Sequence, residues 1–545
     1  MKRVLRTKEG SAERAAATIV RERAPGRRPD RLGPSFGAVQ ALRAVTVCGV
    51  AATLLGCTIG PDYHRSETAT PTAWRTPAAH ADTPVATVTA STPDIDAAAR
   101  NWPVAVPSHA PVQMDWWTAF GDSTLSDLEG RALNGNATLA AAMAHYDQAR
   151  ATLRSVSAQD IPEVDLGGSV ARARNAEDRP RTNYATATHH TVQNDIKLGP
   201  TLSYELDLFG RIRRDVESAA AATEQSQADL ANARLVLTTD LANNYFMLRE
   251  LDAELDVIAR SLALQGQALR FVASQHELGA VSGLNLMQQQ SLRDATAVQQ
   301  TLLENQRAQY QNAIAALIGV PAPDFDIAPA LIVDSGFTIP VALPSELLQR
   351  RPDIASAERA MAAANAKIGV ARAAFFPTLT LTPGIGWEAT RFANLFSAPE
   401  LMWTLGASIK QVLFDGGRRA ATIDFANAGY RAAQANYRQT VLGAFQQVQN
   451  GITGLATLGE AQQRAAQSVA DARRLLSLAQ DRYEGGLVAY LDVIAAQQSL
   501  LSNERTATQI RAQRWTTAVN LIKALGGGWT AQELAGTTPQ NARPG

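Results

Sequence analysis

Two cysteines, a pair of adjacent histidines and one carboxylate in a repeated turn are the residues whose type and setting could do chemistry here. Cys48 falls inside an apolar run near the N-terminus and Cys57 just after it. His189-His190 stands in a polar stretch with no matching carboxylate cluster, so it reads as solvated loop and not as metal ligands. No Gly-rich phosphate loop or Ser nucleophile elbow occurs, and the acids are spread over helical faces. The sequence therefore predicts no enzyme, metal or catalytic cofactor. What remains is Asp492, the last residue of Tyr483-Glu-Gly-Gly-Leu-Val-Ala-Tyr-Leu-Asp492. That stretch is echoed by His276-Glu-Leu-Gly-Ala-Val-Ser-Gly-Leu-Asn285 at a constant offset of 207. Each interrupts long Ala/Gln/Leu-rich helical patterns. Two such hairpins in one chain imply an internal duplication at domain scale.

The elements around these residues begin with an export signal. A basic start leads into the apolar run Ala44–Leu55, too short to span a bilayer, and ends in Leu54-Leu-Gly-Cys57. That ending resembles a lipobox, in which the Cys becomes the lipidated mature N-terminus. Residues 1–56 are the predicted lipoprotein signal peptide, and by the same resemblance the absence of Asp after Cys57 favours sorting to the outer membrane. Cys48 leaves with the signal, so no disulfide is expected. The covalent lipid expected on Cys57 is N-palmitoyl and S-diacylglycerol, a durable anchor. The formal charge of zero hides an asymmetry: residues 1–56 hold 11 Lys/Arg and 4 Asp/Glu, leaving 40 and 47 beyond. An acidic mature chain argues against a nucleic-acid partner.

Residues 57–120 read as a lipid-anchored N-terminal arm, rich in Pro, Ala and Thr, that packs through isolated aromatics such as Trp74 and Trp116-Trp117. A first repeat follows over 121–320. It holds a helix from about Ser123 to Ser157, strands at about 163–173 and 194–209, and a helical hairpin over 211–318. A Pro-rich linker, 321–343, joins it to a second repeat over 344–527. There Pro352 stops one short helix and Asp353 starts the next, strands occupy about 378–389 and 402–414, and a hairpin fills 417–525. Residues 528–545 form a C-terminal tail. The strand stretches alternate apolar and polar residues: Leu379, Leu381, Ile385 and Trp387 against Thr378, Thr380, Thr382 and Glu388. The helices instead keep three–four spacing, as in Leu248, Leu251, Leu255, Ile258, Leu262, Gln265, Leu269 and Val272. About 65 helical residues would reach roughly 95–100 Å at 1.5 Å per residue.

Each strand has about the 9–11 residues that cross a bilayer when tilted. Four strands cannot close, and lipid offers no partner to an open edge. Closure needs strands from copies of the same chain, eight from two copies or twelve from three.

The order of lipobox, helix, strand pair and long hairpin, then its duplicate, resembles the TolC-like outer membrane factors. It is most similar to their lipoprotein (OprM/NodT-like) branch, which serves resistance-nodulation-division (RND) efflux pumps. The resemblance rests on Cys57-Thr-Ile-Gly-Pro-Asp-Tyr63, Tyr204-Glu-Leu-Asp-Leu-Phe-Gly-Arg211, Leu343 to Ile354, Val412-Leu-Phe-Asp-Gly-Gly-Arg418 and Arg482 to Asp492. It implies an α+β membrane protein in the cell outer membrane: a homotrimer whose α-barrel of coiled-coil helices continues into a 12-stranded transmembrane β-barrel. Its implied function is the exit channel of a tripartite efflux pump for drugs or other small toxic compounds. Its implied partners are a periplasmic adaptor (membrane fusion) protein, an inner-membrane RND-type pump and outer membrane lipid. The hairpin turns would then be docking tips for the adaptor, and Gly279, Val281, Leu284, Gly486, Leu487, Val488 and Leu491 are small and apolar where solvent exposure predicts polar residues. The resemblance also implies a periplasmic gate at Tyr483 and Asp492, with Asn285 at the equivalent position of the first hairpin. The family's arginine between them is Val488 here, and its second aspartate is Ala495. The expectation is thus a softer lock of Asp492 with tyrosine and backbone groups. Two other readings are an exit channel for type I protein secretion and a poreless periplasmic coiled-coil lipoprotein.

Overall fold

The structure, a computed structural model, describes residues 58–65, 70–75, 104–107, 112–174, 192–331, 338–341 and 344–532. The signal segment, Cys57, His189-His190 and most of the C-terminal tail lie outside the described residues.

The helix expected over 123–157 is two, α1 (Ser123–Gly135) and α2 (Ala137–Ser157). Asn136 makes the break. Its side chain accepts from Leu139 N at 2.9 Å and donates to Leu317 O at 2.9 Å, so it caps α2 while holding the end of a distant helix. Asp122 caps α1 through the amides of Thr124 and Leu125.

Strands β2 (Glu163–Arg174), β3 (Val192–Leu206), β5 (Thr378–Ala389) and β6 (Leu401–Lys410) form one antiparallel sheet in the order β2-β3-β5-β6. Pro200 sits inside β3, where Leu166 lies opposite. Gly199 faces a tight crossing, since a Cβ there would lie 2.4 Å from Ile385 O. A second sheet was not foreseen: β1 (Val104–Pro107) pairs in parallel with β4 (Thr338–Val341), inside the stretch expected to be plain linker. The strand expected over 402–414 ends at Lys410, and residues 411–417 form the turn into the next helix.

Helices α3 (Arg211–Glu277) and α4 (Gly283–Leu317) make the first hairpin, α7 (Arg418–Glu484) and α8 (Tyr490–Ala524) the second. The long arms have 67 residues each and the return arms 35. Every bound of the second hairpin lies 207 residues beyond its counterpart. On α3 the expected seam is buried at Leu248, Leu251, Ile258, Gln265 and Val272 and half-buried at Leu255, Leu262 and Leu269.

The main core forms where both hairpins meet α1, α5 (Pro344–Arg350) and α6 (Pro352–Ala373). Phe246 and Trp515 stack there at 5.2 Å, and Phe120 tilts against both. Asp353 does not cap α6 as expected; Arg351 occupies that position. Asp353 instead receives the Arg351 guanidinium at 2.9 and 2.5 Å, while the same guanidinium reaches Gln447 Oε1 and Ala524 O, both at 2.9 Å. One buried cation thus ties α6, α7 and the end of α8.

Candidate functional site at the hairpin ends

Both hairpins turn by the same backbone device. In the first, Ala280 N donates to Gln275 O and Gly279 N to His276 O; in the second, Leu487 N donates to Arg482 O and Gly486 N to Tyr483 O. These are Schellman closures, and they need a left-handed residue, supplied by Gly279 at φ 75° and Gly486 at φ 69°. The return helices begin alike too, with Asn285 N bonded to Ser282 O and Asp492 N to Ala489 O. The backbone path at the two tips therefore matches.

Leu284, Leu487 and Leu491 are exposed, at 65%, 73% and 57%, and Gly279 and Gly486 with them. Val281 and Val488 are half-buried, and Val281 packs on the cluster that joins the hairpins just behind the tips. That cluster draws Val272 and Leu292 from the first hairpin and Leu476, Ala479, Tyr490, Val493, Ile494 and Ala496 from the second. The two tips are thus one surface within a single chain.

Among the described residues no hydrogen bond joins the expected gate residues to one another. Tyr483 gives its hydroxyl hydrogen to Gln275 Oε1 at 3.2 Å, not to Asp492. Its ring meets Tyr490 edge to face at 5.0 Å. Asp492 is exposed in the first turn of α8 and Asn285 is half-buried in that of α4. Sequence reasoning missed Tyr490, Gln275 and Gln289. Tyr490 is buried and donates to Gln289 Oε1 at 2.9 Å, while Gln289 donates to Gln265 O at 3.1 Å. The tyrosine-to-amide spacing carries no sequence signal, because it spans about two hundred residues.

Further from the tips, two buried acids hold the hairpins. Asp252 accepts from Arg249 at 2.9 Å, Arg307 at 2.6 Å and Ala330 N at 3.1 Å, pinning the linker to both arms of the first hairpin. Glu254 accepts from Gln509 at 2.7 Å and Arg505 at 3.2 Å, bridging α3 to α8. Burial and then the Glu254 charge push the neighbouring Glu250 carboxyl upward.

The arm is bonded far more closely than isolated aromatics would allow. Ile59 N donates to Phe209 O, Asn365 donates to Pro61 O at 2.8 Å, and Tyr63 donates to Glu358 Oε1 at 2.5 Å. Asp62 receives the buried Arg214 at 2.7 Å, and this bond and charge hold its carboxyl below its ordinary value. Further along, Trp74 packs edge-on against Phe445. Thr58, next to the expected lipid attachment at Cys57, lies against Gly210 at the junction of β3 and α3.

At the other end of the helices the sheet leaves most of one apolar face uncovered, apart from a patch where Leu395 packs with Ile196 and Ala389. Val164, Leu166 and Val170 on β2 and Trp403, Leu405 and Ile409 on β6 are 65–79% exposed. All belong to the face that also carries Leu381 and Ile385, by the strand register. A contiguous apolar face of this size on a sheet with two open edges needs lipid or protein against it. Among the described residues no helix is long and apolar enough to cross a membrane.

The family model described as outer membrane efflux protein matches residues 128–320 and 343–527. The toluene efflux pump outer membrane protein TtgF of Pseudomonas putida is 31% identical over 495 residues, 90% of this chain and 97% of its own length. The pyoverdine export outer membrane protein OpmQ of Pseudomonas aeruginosa is 32% identical over 415 residues, 76% of this chain and 87% of its own. The solved structure of the outer-membrane channel OprN superposes with a TM-score of 0.76 at 28% identity, covering 87% of this chain and all of that one.

Proposed function

Because the chain belongs to the outer membrane efflux protein family, we propose that three copies build one continuous exit duct for an efflux pump. The outer membrane is its location and efflux its task; the family is one of channels and not of enzymes. In the proposed assembly each copy gives four strands to a twelve-stranded barrel and four long helix arms to a periplasmic tunnel. The two halves of each chain descend from one duplicated unit.

The uncovered apolar face of the four-stranded sheet carries this reading. Its row of exposed side chains suits lipid, its strands are long enough to span, and both open edges demand further strands. Each strand pair passes through a glycine turn into a 67-residue helix, so the bore would continue straight into the tunnel. Transport energy comes from an inner-membrane pump of the RND type, reached through a periplasmic adaptor that docks on the tips at Gly279, Val281, Leu284, Gly486, Leu487, Val488 and Leu491. Tyr483, Asp492 and Asn285 stand at the mouth and control its opening. Cys57 carries the lipid, and the arm bonded from Ile59 to Tyr63 holds that anchor at the barrel's foot. Drugs or other small compounds are the proposed cargo, since relatives are named for toluene and pyoverdine.

Purified protein in planar bilayers tests the reading, with its oligomeric mass measured in detergent. Discrete conductance from a three-copy particle is expected. A monomer, or a particle that adds no conductance, overturns the duct and leaves a spacer lipoprotein.

A further inference from the structure

The two open edges of the sheet differ in charge at the same end and on the same face. On β6 the last residue, Lys410, pairs in register with Thr378 of β5. Thr380, two residues on, pairs with Glu205 of β3, and Ser203 pairs with Glu163 of β2. Residues directly opposite share a face, and so do residues two apart, so Lys410, Glu163 and Asp165 all point to the polar side of the sheet. All three lie at the end from which the helices depart, since Glu163 opens β2 after α2 and Lys410 closes β6 before α7. All three are exposed, and none has an ion pair among the described residues.

Within one chain they cannot meet. Three strand spacings separate β2 from β6, about 14 Å at 4.8 Å each, more than a lysine and a carboxylate side chain can bridge across a sheet. Between copies the geometry is different. With four alternating strands the two edges run in opposite directions, so β6 of one copy can add to β2 of the next in an antiparallel ladder. Directly opposite side chains then stand about 5 Å apart, and a residue facing either carboxylate reaches both. The sheet already contains this device: Lys197 on β3 bridges Asp195 at 3.0 Å and Glu388 on β5 at 3.3 Å, on the same polar face.

We propose that Lys410 of one copy clasps the Glu163–Asp165 carboxylates of the next, an ion pair at every seam of the barrel that sets the register between copies. This rests on the barrel reading above. Its role is register more than adhesion: a slip of one residue would turn Lys410 to the apolar face and move the whole apolar row with it. Like charges at the same place would oppose closure.

The test uses the full-length protein in outer membranes, whose own cysteines are Cys48 in the expected signal and Cys57, the expected lipid attachment. Paired cysteines, Lys410→Cys with Glu163→Cys or with Asp165→Cys, are oxidised, and bands of linked copies are sought on denaturing gels. Linked bands are expected from at least one pair and from none of the three single variants. Lys410→Glu should lower the fraction of heat-resistant trimer, and Glu163→Lys with Asp165→Lys should restore it. Trimers that form and conduct, yet neither crosslink nor respond to charge reversal, overturn the clasp and leave the barrel standing. If no wild-type trimer or conductance is found, the barrel itself falls and the clasp with it.

Discussion

Tyr490 donates its hydroxyl hydrogen to Gln289 Oε1 at 2.9 Å, joining the return arms of the two hairpins through one buried bond. Gln289 passes the connection to α3 through Gln265 O, so the pair spans three helices behind the hairpin tips. Motion of one hairpin against the other must break it.

Tyr490→Phe keeps the ring against Tyr483 and removes the donor, leaving Gln289 Oε1 buried and unpaired. Such a loss costs about 1–3 kcal/mol. A more frequent open state in bilayer recordings is the expected outcome, and unchanged gating would remove the bond from the closing mechanism. Burial and the Tyr483 neighbour push the Tyr490 hydroxyl up to about 12. The raised value leaves the bond indifferent to pH until the unfolded tyrosine begins to ionise near pH 10. Between there and about 12 the folded form is progressively disfavoured.

The exposed leucines of both tips should govern docking without governing the pore. Leu284→Asp and Leu487→Asp together should abolish adaptor crosslinking and reduce drug or solvent tolerance of cells to that of a deletion. Conductance of the purified protein should not change. Full tolerance in the double variant would move docking elsewhere.

Asp492 is exposed and free of a tyrosine bond within its own chain, so three copies would present three like charges around the proposed axis. Asp492→Ala should lower the preference for cations at the mouth, read as a shift of reversal potential in a salt gradient. Identical potentials would show that these carboxylates do not face the pathway.

Glu129 on α1 is fully buried, its two oxygens have no hydrogen-bond partner among the described residues, and burial alone pushes its carboxyl up to about 9. A carboxyl with a raised folded value binds its proton more tightly when folded. Its best stability therefore lies below the unfolded value near 4.5 and is lost as pH rises toward 9. At pH 7 the penalty is about 3 kcal/mol by this linkage. Glu129→Gln should raise thermal stability at pH 8 and change little at pH 5. Equal gains at both pH values would mean that the side chain is not protonated in the fold.

Much of the architecture was legible because it is written in local periods. Alternation at Leu379–Trp387 marked a strand, three–four spacing at Leu248–Val272 marked a long helix, and the glycines of the two turns marked where each reverses. The 207-residue offset read from the turns holds for every hairpin bound. The helix break at Asn136 was missed because its reason is distant: the side chain that caps α2 also holds Leu317. The parallel pairing of Val104–Pro107 with Thr338–Val341 has no local signature either.

At the hairpin ends, the sequence singled out Tyr483, Asp492 and Asn285 by their places in a repeated turn and by the family resemblance. It could not assign their bonds. Tyr483 binds Gln275 and Tyr490 binds Gln289, while Asp492 is left to solvent in the chain; only tertiary structure decided this. Periodicity tells a residue which face it occupies, because the helix or strand repeats over a few residues. Which side chain waits on the opposite face depends on how helices two hundred residues apart slide past one another. That offset is set by packing across the whole hairpin.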